Sequence, residues 1–145
     1  MTRFGLLMLL AVSGLAQTGA MRSVYIAPMP GGLDQYLAGQ ITREHLMTVV
    51  ADPKIADTVI TDRLNDTFEA MLAKLHPHQD ELKAEENLHH SFQKTGSQGT
   101  LFLVDAKSRQ VIWSDYEKPL RNPSGSRLNK AAERVVKKMQ AALSK

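Results

Sequence analysis

Apolar residues in this chain fall into short blocks whose spacing alternates between the period of a strand and that of a helix. Residues 23–28 (Ser-Val-Tyr-Ile-Ala-Pro) are β-branched and aromatic and predict a first strand, stopped by Pro28. Pro30-Gly31-Gly32 reads as a turn. Leu33, Tyr36, Leu37, Gln40 and Ile41 then recur at helical spacing, predicting a helix over 33–44 that Gly39 weakens. Residues 46–51 predict a second strand, and Asp52-Pro53 the cap and first residue of a single helical turn that ends by Ala56. Residues 58–64 predict a third strand. Asp66 and Glu69 have capping-box spacing, and Phe68, Met71, Leu72 and Leu75 form the stripe of a short helix that His76-Pro77 ends.

Residues 78–99 change character. Asp80, Glu81, Lys83, Glu85 and Glu86 outnumber the apolar Leu82, Leu88 and Phe92, which predicts a solvated polar insertion. The run Thr-Leu-Phe-Leu-Val over 100–104 predicts a strand buried on both faces at the sheet centre. After a tight polar connection, 110–116 (Gln-Val-Ile-Trp-Ser-Asp-Tyr) returns as the second arm of a hairpin. Residues 119–126 read as a loop, with Ser126 the expected cap of a last helix whose apolar face is Leu128, Ala131, Ala132, Val135, Val136, Met139 and Leu143. The order predicts an α/β (α+β) domain: one mixed five-stranded sheet packed against helices, with a C-terminal amphipathic helix.

The N-terminus sets this domain apart. Arg3 precedes an apolar run, and the small residues Ser13, Gly14, Ala16, Gly19 and Ala20 follow it, which is the layout of a secretory signal peptide. The stretch from Phe4 to Ala16 is 13 residues, against about 20 for a bilayer span. Residues 1–20 are therefore expected to be a signal peptide, cleaved after Ala16 or Ala20, leaving residues 21–145 as one exported domain with no transmembrane segment, periplasmic or extracellular. The chain holds 145 residues, 43% hydrophobic and 23% charged, as in an ordinary globular domain. Its net charge of +3 is spread among acids rather than gathered on one stripe, so no nucleic-acid partner is expected. Cysteine is absent, which excludes disulfides, a thiol nucleophile and a lipid anchor on cysteine.

Few residues suggest site chemistry. His76, His78, His89 and His90 flank the acidic insertion and offer imidazoles for zinc, copper or nickel, although no His-Glu-x-x-His motif is present. A solvated insertion that happens to hold histidines is the competing reading. Asp57, Asp62, Asp66 and Asp105 are explained as turn and cap residues. No Gly-x-Ser-x-Gly elbow surrounds Ser97 or Ser126, and Gly31-Gly32 is not a phosphate loop. No cofactor and no enzymatic activity are therefore expected. On the last strand, alternation places Trp113 with Val111 on a core face and Ile112, Ser114 and Tyr116 on the other. If that strand is an edge, Ile112, Ser114 and Tyr116, with Arg121 in the following loop, form a candidate partner-binding surface, docking being expected at a sheet edge or at the loop between residues 117 and 125. Arg127, Lys130 and Arg134 add either a basic patch or a plain solvated helix face.

The succession Val24-Tyr25-Ile26-Ala27-Pro28, then Ala56-Asp57-Thr58-Val59-Ile60-Thr61, then Leu101 to Arg109 running into Val111-Ile112-Trp113-Ser114, resembles a group of bacterial envelope domains. The group includes the periplasmic part of the curli secretion channel protein, the lipoprotein activators of penicillin-binding proteins, and the N-terminal domain of the Tol–Pal β-propeller protein. The resemblance spans most of residues 23–143. It implies a non-enzymatic domain that docks envelope proteins, here without the lipidation cysteine that many of those relatives carry. A small-molecule binding module and a metal-binding protein using the histidines stand as alternatives.

Overall fold

The computed structural model describes residues 21–75 and 99–145. Among them, five strands form one mixed sheet: β1 (Ser23–Ile26), β2 (Thr48–Val49), β3 (Thr58–Thr61), β4 (Thr100–Asp105) and β5 (Val111–Tyr116), in spatial order β2-β1-β3-β4-β5. β1 pairs in parallel with β2 and β3, while β3–β4 and β4–β5 are antiparallel. Three α-helices accompany the sheet: α1 (Leu33–Arg43), α2 (Asp66–Leu75) and α3 (Gly125–Leu143). This is the α+β architecture expected from the sequence.

Alternation along the strands divides the core in two. Val24, Ile60, Leu101 and Leu103 face α1 and α3, where Leu37, Ile41, Ala132, Val135, Val136 and Met139 close the larger cluster. Val59, Val104 and Ala106 point the other way, onto Phe68 and Leu72 of α2. All four residues of β3 are buried, because β3 is the central strand and is covered on both faces. The sheet centre is thus β3 and not β4, which lies second from the edge. The longer apolar run at 100–104 had suggested otherwise, but position in the sheet follows from pairing rather than from run length. Buried Gln40 donates to Asn129 Oδ1 at 2.9 Å, tying α1 to α3 across the core.

Several boundaries move for local reasons. α1 ends with His45 at φ +50°, the Leu46 N–H bonded to the Ile41 carbonyl and the His45 N–H to that of Thr42. This Schellman-type ending consumes residues expected in the second strand and leaves β2 only two residues long. Asn65, not Asp66, caps α2: its Oδ1 accepts from the Phe68 N–H at 3.0 Å, so Asp66 is the first helical residue. Likewise Ser124, not Ser126, caps α3 by accepting from the Arg127 N–H. Asp52 does cap the single turn Pro53–Ile55, accepting from the Lys54 N–H.

Candidate functional site

β5 is an edge strand, and it departs from simple alternation. Leu103 opposes Trp113, but Val104 opposes Val111, so Ile112 has no partner of its own and forms a β-bulge. The extra residue shifts everything before it by one face. Trp113 and Ile112 both pack against the α1–α3 core, whereas Val111 is 44% exposed. The expected pairing of Trp113 with Val111 is therefore wrong, and Ile112 leaves the outward set. Ser114 and Tyr116 keep their assignment: both are exposed and lie opposite Phe102 and Thr100.

α3 is clipped onto this edge by two ion pairs. Lys138 reaches Asp115 at 2.6 Å, and Arg134 binds the Glu117 carboxylate. The match is geometric: four residues of helix rise about 6 Å and two residues of strand about 6.6 Å, so an i, i+4 pair of cations registers with an i, i+2 pair of acids. The hydrogen bond from Arg134 to Glu117 pushes the guanidinium pKa further above its ordinary value. Glu117 is thereby spoken for.

Beyond Glu117 the chain turns along the start of α3. Glu117, Lys118, Pro119, Leu120, Arg121, Arg127 and Arg134 line an open groove of about 670 Å³. Two glycines let the backbone come this close. At Gly99, φ is +107° and a Cβ would lie 2.7 Å from the Glu117 carbonyl oxygen, while the Glu117 N–H bonds back to the Gly99 carbonyl at 2.7 Å. At Gly125, a Cβ would lie 2.7 Å from the Tyr36 hydroxyl, so any larger residue there would have to move the Tyr36 side chain where α3 begins on α1.

The groove is electrostatically unbalanced. Its one acid is held by Arg134, and among the described residues Lys118, Arg121 and Arg127 have no carboxylate partner. The first turn of α3 carries no acidic residue and instead holds Arg127. A cation there opposes the helix dipole, which favours anions at an N-terminus by about 0.3–1 kcal/mol. Arg127 thus lines the concavity from a position that the helix dipole disfavours.

The other predicted site residues are placed differently. Asp57 and Asp105 sit together at the opposite end of the sheet, where both act as turn anchors. Asp57 accepts from the backbone N–H and the hydroxyl of Ser23 at 3.0 and 2.9 Å, bonds that lower its pKa. Burial acts to raise the Asp105 pKa, but bonds from Ser108 and the Lys107 N–H outweigh it and lower the value. Asp62 and Asp66 follow β3 at its far end and do not join them. His76, His78, His89 and His90, most of the polar insertion and the leader lie outside the described residues. Among the described residues no cluster of three His, Asp or Glu side chains has metal-binding geometry, and no helix is long and apolar enough to cross a membrane. The sequence had singled out Arg121 and left Arg127 and Arg134 open between patch and solvated face. Glu117 and Lys118 lie within the 117–125 loop expected to dock but were not singled out there; the signal for Glu117 is the spacing of Asp115 and Glu117 against Arg134 and Lys138. No protein-family model, curated protein or solved structure matches this chain.

Proposed function

We propose that this chain is an exported docking domain of the cell envelope, which acts by holding another protein against the β5 edge and the loop that follows it. The observation that carries this reading is the continuity of the two features. An edge strand with Tyr116 59% exposed runs without a break into a groove holding three cations that have no carboxylate partner among the described residues. An edge strand is an open row of backbone donors and acceptors onto which an extended segment of a partner can add. The leader layout of residues 1–20 supports delivery across a membrane, and the likeness to envelope domains supports the class of partner.

In-cell crosslinking tests the proposal. A photoreactive residue replaces Tyr116 in one variant and Lys107, an exposed residue in the turn at the far end of β5, in another. The reading expects a discrete adduct with an envelope protein from position 116 and none from 107, in chains that have lost the leader. No adduct from 116, or the same adducts from both positions, would overturn it.

A further inference from the structure

We infer that the groove and the β5 edge together recognise an extended peptide strand with an acidic run at one end, the strand pairing with Ser114 and Tyr116 and the carboxylates lying on Lys118, Arg121 and Arg127. The inference rests on the docking reading and adds the partner's chemistry.

The backbone specifies the strand half. In an antiparallel ladder, alternate residues turn both their N–H and C=O toward the partner strand, and the residues between turn theirs outward. The Glu117 N–H bonds to Gly99, so the inward-bonded set on β5 is Glu117, Asp115 and Trp113, in register with Gly99, Leu101 and Leu103. Ser114 and Tyr116 therefore direct their backbone groups to the free edge, and no described strand lies beyond them. The bulge at Ile112 breaks this outward row on one side, so a visiting strand is confined to the end nearest the groove.

The charges specify the other half. A strand laid on Ser114 and Tyr116 continues past Tyr116 toward Lys118, where the exposed alternation of 114, 116 and 118 persists. Nothing within the described residues neutralises Lys118, Arg121 or Arg127. Carboxylates suit the two arginines because a guanidinium binds them through two parallel hydrogen bonds. A nucleic acid or an anionic lipid surface would satisfy the charges but leave the strand edge unused.

The test uses full chain purified after expression with its own leader, and fluorescence anisotropy of labelled probes. The probe is a peptide of alternating threonine and valine ending in four glutamates; its companions carry glutamine for glutamate, or glutamate alone. The expected result is binding by the acidic strand peptide that weakens about tenfold or more in the glutamine version, in the Arg121→Glu/Arg127→Glu variant, and on raising salt from about 0.05 to about 0.5 M. Arg121→Gln/Arg127→Gln guards against a folding defect and is expected to weaken binding in the same direction. Equal binding of the glutamine peptide, or equal binding by both variants, overturns the acidic preference. Equal or tighter capture of the glutamate-only peptide, a single-stranded oligonucleotide or phosphatidylglycerol vesicles overturns the strand. If no probe binds while Tyr116 still gives its adduct in cells, the partner chemistry is wrong and the docking reading stands; loss of the adduct as well removes both.

Discussion

The two ends of the sheet solve their electrostatics in opposite ways. At the end where β1 and β3 begin, each acid is matched: Asp57 takes two bonds from Ser23, Ser23 in turn accepts from the Asp57 N–H, the Ala106 N–H closes on the Asp57 carbonyl, and Asp105 collects the N–H groups of Lys107 and Ser108. At the other end, a loop is held close by glycine geometry, one acid is paired, and three cations face an open groove. The first end is what stability alone produces. The second keeps like charges together and sets an arginine on the wrong end of a helix dipole, a local conflict of the kind that sites of function retain.

The largest expected effect is at the open end. Gly99→Ala places a Cβ against the Glu117 carbonyl and the Tyr116 ring at a φ that alanine rarely adopts, and is expected to cost about 1–3 kcal/mol by denaturant unfolding. It should also displace the loop enough to abolish the Tyr116 adduct. At the closed end, Asp57→Ala removes both Ser23 bonds and is expected to cost about 1–2 kcal/mol, reduced from a buried value because the carboxylate is exposed to solvent; the adduct should persist. If Asp57→Ala abolished the adduct at unchanged folding, the two ends would not be separable.

Acid sharpens the contrast. The folded pKa values of Asp57 and Asp105 both lie below the ordinary 3.8. The unfolded chain therefore binds more protons in that range, and stability rises with pH there. The contribution of these two groups is complete above the ordinary carboxylate value and is lost as pH falls through the lowered folded values. Unfolding midpoints of the parent chain should drop through this window, and Asp57→Ala should show a shallower drop.

Much of this architecture was readable from residue spacing. The stripe Leu37-Gln40-Ile41 and the face of α3 from Leu128 to Met139 are buried as their period required, because both helices bury a single stripe against one sheet. The β4–β5 hairpin formed where two apolar runs flank a polar turn. What escaped depends on single residues interacting at a distance. The bulge at Ile112 leaves no composition mark, yet it reassigns Val111 and removes Ile112 from the outward face. Ser124 rather than Ser126 caps α3, and α3 starts where Gly125 lies against Tyr36, residues 89 apart in the chain, a proximity that spacing alone does not show. Arg121 was visible as a loop cation, but the groove was not, since it needs Glu117 committed to Arg134 before the remaining cations stand unbalanced.

The smallest expected change in stability has the opposite sign from the others. Arg127→Glu replaces a cation with an anion in the first turn of α3 and is expected to stabilise the fold by about 0.3–1 kcal/mol, seen as a higher unfolding midpoint. A measurable loss of stability instead would mean that Arg127 has a structural role, and the open end would resemble the closed one.

The most direct measurement is the Tyr116 crosslink in cells carrying Arg121→Glu/Arg127→Glu on the full chain. The predicted result is loss of the adduct from a protein that is exported and folded as well as the parent. An adduct of undiminished yield from that variant would contradict the account, because the groove's positive charge would then have no part in what the β5 edge holds.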